Sequence, residues 1–421
     1  MNHKEALEWL YSFEKHGIKL GLERTQHICK KLGNPQTNYH TIHIGGTNGK
    51  GSVCNFIGSI LTSAGYTVGI YTSPHIQRFS ERFVVEGDEI SEIEMVLLVD
   101  KVKPIVEEMV NQGNIPTFFE ITTAMAFQYF YDKKVDYAII EVGLGGRFDA
   151  TNIITPMVSA ITNVSLEHQD RLGKTIDEIA FEKAGIIKEN IPVLTGSYGE
   201  ALTVIKKVAN DKNAPLTIVE EQHWEKTGGG IDWQSFTIHG KLKDYNVKTH
   251  LPGLFQGENL SLALSCIELI QMEGVFITDE NIMEGVENTK NPGRMEIIGL
   301  EPLILLDGAH NITSMEMLKN TIVKDFAYDR LILVIGILSD KNIKEMVQII
   351  EPLADVVFVT KSTNERACNP QELKGFFSQE VTVTNSVSEA VEHAKEIASK
   401  QDMILITGSL FTVGEARDIL I

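Results

Sequence analysis

Residues 45–52, Gly45-Gly46-Thr47-Asn48-Gly49-Lys50-Gly51-Ser52, place a lysine and a serine among glycines in a run suited to gripping phosphate. Glycines let successive backbone N–H groups turn inward around phosphate oxygens, and Lys50 adds a point charge. The preceding residues 41–44 form a short apolar run of strand character. After the loop, Val53, Phe56, Ile57, Ile60, Leu61 and Ala64 recur at steps of three and four, the spacing of a helix with one apolar stripe. Strand, glycine loop and helix in that order let the helix direct its positive end at the anion. The fit to the general Walker pattern is approximate, because Gly51 separates Lys50 from Ser52.

Other reactive side chains stand where apolar runs end. Glu141 closes residues 137–141, and an acid there needs a partner, for which a hard Mg²⁺ bridging phosphate oxygens would serve. Ser73 follows residues 68–71, which places its hydroxyl at the carboxyl edge where open α/β sheets bind ligands. Arg82 suits a substrate carboxylate, with which a guanidinium pairs bidentately. His168 lies just past residues 158–162; on sequence alone it fits a surface or packing role, and Lys183 reads as a solvated charge at a helix end. Asn259 reads as the N-cap that opens a helix. Asp307 and His310, in Asp307-Gly308-Ala309-His310-Asn311 after residues 303–306, are either an acid–base pair or turn chemistry. Arg294 follows the turn-forming Asn291-Pro292-Gly293, while Ser339-Asp340-Lys341 and Ser409 end two more strands.

The elements that position these groups predict an α/β protein with mostly parallel sheets. Residues 216–251, with Trp233, Phe236 and Ile238 in near-alternation, predict a small antiparallel sheet on the periphery of the first domain. A second series of strand-like runs, 303–306, 331–335, 356–359 and 403–406, follows the Pro292-Gly293 turn, with Ala390, Val391, Ala394, Ile397 and Ala398 marking a helix between them. This divides the 421 residues into domains 1–293 and 294–421. With 57 acidic against 38 basic residues, a net charge of −19 disfavours nucleic acid and anionic membrane surfaces as partners. The N-terminus does not read as a secretory signal, no apolar run of membrane-spanning length appears, and Cys29, Cys54, Cys266 and Cys368 form no Cys-x-x-Cys pair. A reducing cytoplasm is the expected location.

Residues 46–52, the run 143–152 (Gly-Leu-Gly-Gly-Arg-Phe-Asp-Ala-Thr-Asn) and the His310-Asn311 pair occur in an order that resembles the folylpolyglutamate synthases and dihydrofolate synthases. These belong to the wider group of Mur-type ATP-dependent amide ligases. The resemblance implies a P-loop mononucleotide-binding N-terminal domain with a small peripheral β-sheet, and a smaller Rossmann-like C-terminal α/β domain. It implies ATP binding by Gly46, Thr47, Asn48, Gly49, Lys50, Gly51, Ser52, Asn259, Arg294 and Asp307. It implies two Mg²⁺ ions, with Ser73, Glu141 and His168 as ligands, and carbamylation of Lys183. Arg82, in a mobile loop over residues 78–83, would hold the folate, His310 and Ser409 the incoming glutamate. Lys50, His168, Lys183, Asp307 and His310 would be catalytic. The activity implied is ATP-dependent joining of L-glutamate, through an acyl phosphate, to tetrahydrofolate and to dihydropteroate, by a monomer. Glu167, Phe255 and Ile312 depart from the family's usual Asp, His and Pro. A UDP-muramoyl peptide ligase and a non-catalytic nucleotide-binding switch are the alternatives, and the loop variant together with His310-Asn311 favours the folate branch.

Overall fold

The computed structural model describes residues 1–17 and 19–421. The larger sheet contains β1 (His40–Gly45), β2 (Val68–Tyr71), β3 (Phe83–Val85), β4 (Asp88–Glu89), β5 (Tyr137–Glu141), β6 (Val158–Ile161), β7 (Val193–Thr195) and β8 (Leu216–Ile218). Its order is β4-β3-β2-β5-β1-β6-β7-β8, parallel from β2 to β8, with β3 and β4 forming an antiparallel edge. Successive strand residues point to opposite faces, so each face needs its own apolar cover. Ile42, Ile44 and Ile139 pack with Phe56, Ile57 and Ile60 of the Lys50–Ser63 helix and Leu260, Ala263 and Leu264 of the Gln256–Met272 helix. On the other face Ala138 and Ile140 meet Ile121, Phe127 and Phe130 of the Phe118–Lys133 helix.

The expected antiparallel sheet is β9 (Trp224–Gly229), β10 (Gln234–His239) and β11 (Asp244–Thr249), in the order β11-β10-β9. Phe236, Ile238, Tyr245 and Val247 face the first of those cores. Two details differ from expectation. Residues 216–218 belong to the large sheet as β8, pairing in parallel with β7, and Trp233 sits outside the strands at 37% exposure. Residues 216–218 are only three long, too short for period to assign them to one sheet or the other.

The second sheet comprises β12 (Glu296–Leu300), β13 (Leu303–Asp307), β14 (Leu331–Ile335), β15 (Val356–Val359), β16 (Thr382–Val383) and β17 (Met403–Thr407). Its order is β12-β13-β17-β14-β15-β16, parallel except for the β12 edge. β13, β14 and β17 are buried throughout. The Val387–Ile397 helix buries Ala390, Val391 and Ala394, with Ile397 at its exposed end.

In each sheet the strand order reverses: β1 lies between β5 and β6, and β17 between β13 and β14. Crevices open at carboxyl ends where this happens. Residues from both carboxyl edges line one cleft of about 1100 Å³.

Candidate active site

The phosphate loop leaves β1 through Gly46 at φ +132° and reaches the Lys50–Ser63 helix through Gly49 at φ +84°, in the backbone region that favours glycine. Side chains are excluded by neighbours as well as by φ. A Cβ on Gly46 would lie 1.9 Å from Thr162 Oγ1, and one on Gly49 would lie 2.4 Å from Asn259 Oδ1. The segment after β6 braces the loop: Thr162 Oγ1 donates to Asn48 O at 2.6 Å, Asn48 N donates to Asn163 Oδ1 at 3.0 Å, and Ser165 N donates to Thr47 Oγ1 at 3.1 Å. Lys50 Nζ donates to its own loop, to Gly46 O at 3.1 Å and Thr47 O at 3.0 Å. Ser52 Oγ accepts from Asn291 Nδ2 at 2.8 Å. Asn259 is not an N-cap. The Gln256–Met272 helix starts one turn earlier, after Gly253 at φ +101°, which leaves Asn259 inside it against Gly49.

Glu141 ends β5 at 6% exposure and accepts from Ser73 N at 3.0 Å. Burial raises its carboxyl above the ordinary range, and the charges of Lys50, Arg294 and Arg82 pull against that rise. Both halves of the chain thus aim cations at one acid. Among the described residues no group of three or more His, Cys, Asp and Glu is arranged to hold a metal. A carboxylate beside a serine at the phosphate loop nevertheless fits Mg²⁺, which binds through one or two protein oxygens plus phosphate and water. The imidazole of His168 is a softer donor than Mg²⁺ prefers.

Lys183 does not sit among solvated charges. The Ile176–Ala184 helix delivers it into the interior at 1% exposure, where Nζ donates to Gly46 O at 2.8 Å and to Glu167 Oε1 at 2.7 Å. Burial lowers Lys183, while Glu167 opposes that shift. Burial alone would raise Glu167, but Lys183 and then Lys50 outweigh it and hold it at about 2. His168, at φ +45°, is lowered by burial against the pull of Glu167.

From the second sheet, Asp307 accepts from Met295 N and Ala309 N, both at 2.9 Å; burial raises it and Arg294 opposes the rise. Arg294 Nη1 donates to Gly308 O at 3.3 Å. His310 Nδ1 lies 2.8 Å from the same carbonyl, so Nδ1 carries the hydrogen and Nε2 is left as an acceptor. Burial, followed by Arg294, pushes His310 down to about 4. Asn311 Nδ2 donates to Asn48 Oδ1 at 3.3 Å, tying this loop to the phosphate loop. Ser409 is the N-cap of the Leu410–Leu420 helix, and its Oγ accepts from Thr412 N at 3.1 Å.

Arg82 closes a short 3₁₀ helix, Phe79–Arg82, within the expected loop over residues 78–83. Its Nε donates to His75 Nδ1 at 2.8 Å, and its guanidinium lies 5.9 Å and 5.4 Å from the rings of Phe79 and Phe118. All seventeen residues named as site candidates line the one cleft. So do three that their types alone did not single out as ligands: Asp149, Lys341 and Arg366. Lys341 and Arg366 approach Asp340 at 3.5 Å and 3.8 Å, and the charge on Lys341 lowers both His168 and His310. In the sequence Lys341 stood out only by its position after residues 331–335 and Asp149 only within the run 143–152, while Arg366 carried no signal.

The Mur ligase middle domain family model matches residues 44–267, and that of the Mur ligase, glutamate ligase domain matches residues 293–410. The chain is 37% identical to the dihydrofolate synthase/folylpolyglutamate synthase of Bacillus subtilis (strain 168), over 99% of this chain and 98% of that one. It superposes on Mycobacterium tuberculosis folylpolyglutamate synthase complexed with ADP at a TM-score of 0.92 and 29% identity, over 100% of this chain and 99% of that one. For E. coli FolC in complex with DHPP and ADP the TM-score is 0.89 at 29% identity, over 100% and 98%. The two matched segments and the cleft between their sheets define a Mur-type ligase architecture. Within it, the chain belongs to the folylpolyglutamate synthase/dihydrofolate synthase family.

Proposed function

We propose that the protein joins L-glutamate to tetrahydrofolate, and also to dihydropteroate, with hydrolysis of ATP to ADP and phosphate. The observation that carries this reading is the convergence in one cleft of the phosphate loop and Glu141 from the first sheet with Arg294, Asp307, His310 and Lys341 from the second. In this reading residues 1–293 bind ATP and the folate, and residues 294–421 present glutamate. The ADP complexes of two relatives, one also holding DHPP, support the choice of ligands. The buried free cysteines support a reducing cytoplasm.

A carboxylate does not react with an amine at neutral pH, because its carbonyl is deactivated and its leaving group is poor. In the proposed sequence the acceptor carboxylate attacks the γ-phosphorus in line, and the bond to the ADP oxygen breaks. Lys50 leaves its own loop carbonyls to follow the γ-phosphoryl oxygens, and Arg294 reaches them from the hinge. Bound Mg²⁺, held by Glu141 and Ser73, would neutralise charge on those oxygens. Asn259 and Asp307 contact the nucleotide. Lys183 fixes the Gly46 carbonyl as an ammonium held between it and Glu167, and carbamylation of its nitrogen would exchange that cation for an anion.

Glutamate's neutral amine then attacks the acyl carbon and phosphate departs. His310 is neutral at physiological pH, so its Nε2 can accept an N–H from the amine and orient the lone pair. Lys341 and Ser409 meet the amino acid's carboxylates, and enclosure between the sheets shields the acyl phosphate from water. The test is phosphate release from ATP and Mg²⁺ with L-glutamate, comparing dihydropteroate, tetrahydrofolate and no acceptor, with products checked by mass. Turnover with both acceptors, each gaining one glutamyl unit, is expected. Turnover with one alone would assign a single activity, and silence with both would overturn the reading.

A further inference from the structure

One buried histidine stands outside the chemistry above. His43, on β1, is 0% exposed and points to the face opposite Ile42 and Ile44. Its Nε2 lies 2.8 Å from Thr151 Oγ1, which lies 2.5 Å from Asp149 Oδ1. Asp149 is surrounded by donors: Leu144 N at 2.8 Å, Thr151 N at 3.0 Å and the Thr151 hydroxyl. A carboxylate so placed accepts, so Thr151 gives Asp149 its single hydroxyl hydrogen. Thr151 must therefore accept from His43, which sets the imidazole as the Nε2–H tautomer. Burial and the charge of Lys188 hold that ring neutral, at about 3. Its Nδ1 is buried without a hydrogen-bond partner among the described residues.

The far end of this chain of bonds is a wall of the cleft. Asp149 shapes residues 143–149, taking Leu144 N on its side chain and giving its own N–H to Gly146 O at 3.1 Å. Leu144, Phe148 and Asp149 line the cleft after β5, the strand that lies between β2 and β1, and a Cβ on Gly143 at the start of this stretch would lie 2.4 Å from the Phe119 ring, which lines the same cleft. We infer that His43 is a positioning residue for the acceptor: its Nε2–H fixes the direction of the Thr151 hydroxyl, which locks Asp149 and residues 143–149 in the shape that receives the folate-side substrate. The inference rests on the ligase reading for the identity of that substrate. A residue present only to fill space needs no hydrogen-bonded chain through Thr151 to Asp149, since an apolar side chain fills the same volume.

The test uses full-length protein with His43→Leu, His43→Gln and Thr151→Val. Loss of one buried hydrogen bond predicts that His43→Leu and Thr151→Val each raise the acceptor KM about tenfold while ADP affinity stays within about twofold. Gln can present an N–H near the position of Nε2, so His43→Gln should return to within about threefold of wild type, and the Leu/Val double variant should be no worse than either single one. Selective ¹⁵N labelling should show His43 as the Nε2–H tautomer. An Nδ1–H tautomer, an unchanged acceptor KM in folded His43→Leu, or parallel loss of ADP and acceptor binding would each overturn the assignment. If the wild-type protein ligates nothing, the ligase reading fails. The tautomer, and faster hydrogen exchange of amides 144–151 in His43→Leu but not His43→Gln, would still decide whether His43 holds the loop.

Discussion

Lys50 and His310 hold opposite ends of the proposed reaction, and their surroundings predict different defects. Lys50 Nζ rests on the Gly46 and Thr47 carbonyls and its charge acts on Glu141, the position from which the proposed reaction has it reach the γ-phosphoryl oxygens. Lys50→Ala should cost turnover on the order of 10²–10³-fold, as for other lost charge-stabilising donors, read as phosphate release with acceptor and glutamate saturating. His310 faces the cleft with an unprotonated Nε2, so His310→Ala should raise the KM for glutamate while ADP affinity stays near wild type; collapse of nucleotide binding instead would misplace the residue. Glu258 gives a pH-dependent case. Burial, and then Glu221, push its carboxyl from 4.5 up to about 7. The native state therefore holds the extra proton between those values, and stability falls as pH rises through that window. Glu258→Gln removes the penalty: it should raise the unfolding temperature at pH 8, by up to about 3 kcal/mol of stability, and leave it nearly unchanged at pH 5. A gain equal at both pH values would show that charge is not the cause.

At the scale of elements, the phosphate loop is held by what lies beside it as much as by its own glycines. A methyl group on Gly46 meets the Thr162 hydroxyl at 1.9 Å and its amide nitrogen at 2.9 Å, in a backbone conformation that is already unfavourable to L residues. Gly46→Ala should therefore weaken ADP binding at least about tenfold by calorimetry, through 1–3 kcal/mol or so of local strain, while far-ultraviolet circular dichroism stays unchanged. The same elements explain what could be read in advance. β1, the loop and the Lys50–Ser63 helix were legible because three local signals agree: an apolar run, a glycine cluster and a stripe of period 3.6. β3, β7 and β16 are two or three residues long and exist because a neighbouring strand pairs with them, which no local pattern encodes. Asn259 has the chemistry of a cap, yet the helix begins earlier at a glycine turn. Lys183 looked solvated because its depth is set by Glu167 and Gly46, distant in sequence. Lys341 at a strand end and Asp149 within the run 143–152 were visible in the sequence, but their meeting with Arg366 in the same cleft appears only on folding.

Across the whole molecule, one segment ties the two halves together on the side proposed for the folate. Glu81 gathers the backbone N–H groups of Ile76, Gln77 and Arg78 into a compact turn, at 2.6, 3.0 and 2.8 Å. The turn then docks on the Leu410–Leu420 helix. Gln77 Nε2 donates to Asp418 Oδ1 at 2.5 Å, Arg417 Nη1 donates to Gln77 Oε1, and Arg417 Nε reaches Glu296 Oε2 at 3.0 Å. Gly414 admits this approach, since a Cβ there would lie 2.3 Å from Ile76 O. Ser73 and Arg82 flank the turn, so a contact made by the last helix bears on the part of the first sheet proposed to receive the acceptor. Arg417→Ala should remove charge-assisted bonds of about 1 kcal/mol net and raise the acceptor KM roughly fivefold, with ADP affinity unchanged. Hydrogen exchange of amides 76–78 should quicken in parallel. Because the arginine bonds to Gln77 and Glu296 and none of its hydrogen bonds goes to the phosphate loop, equal loss of nucleotide and acceptor binding would mean that the two halves had separated altogether. Loss confined to the acceptor would show that the second half, proposed to present the glutamate, also shapes the acceptor's site through residues 74–82.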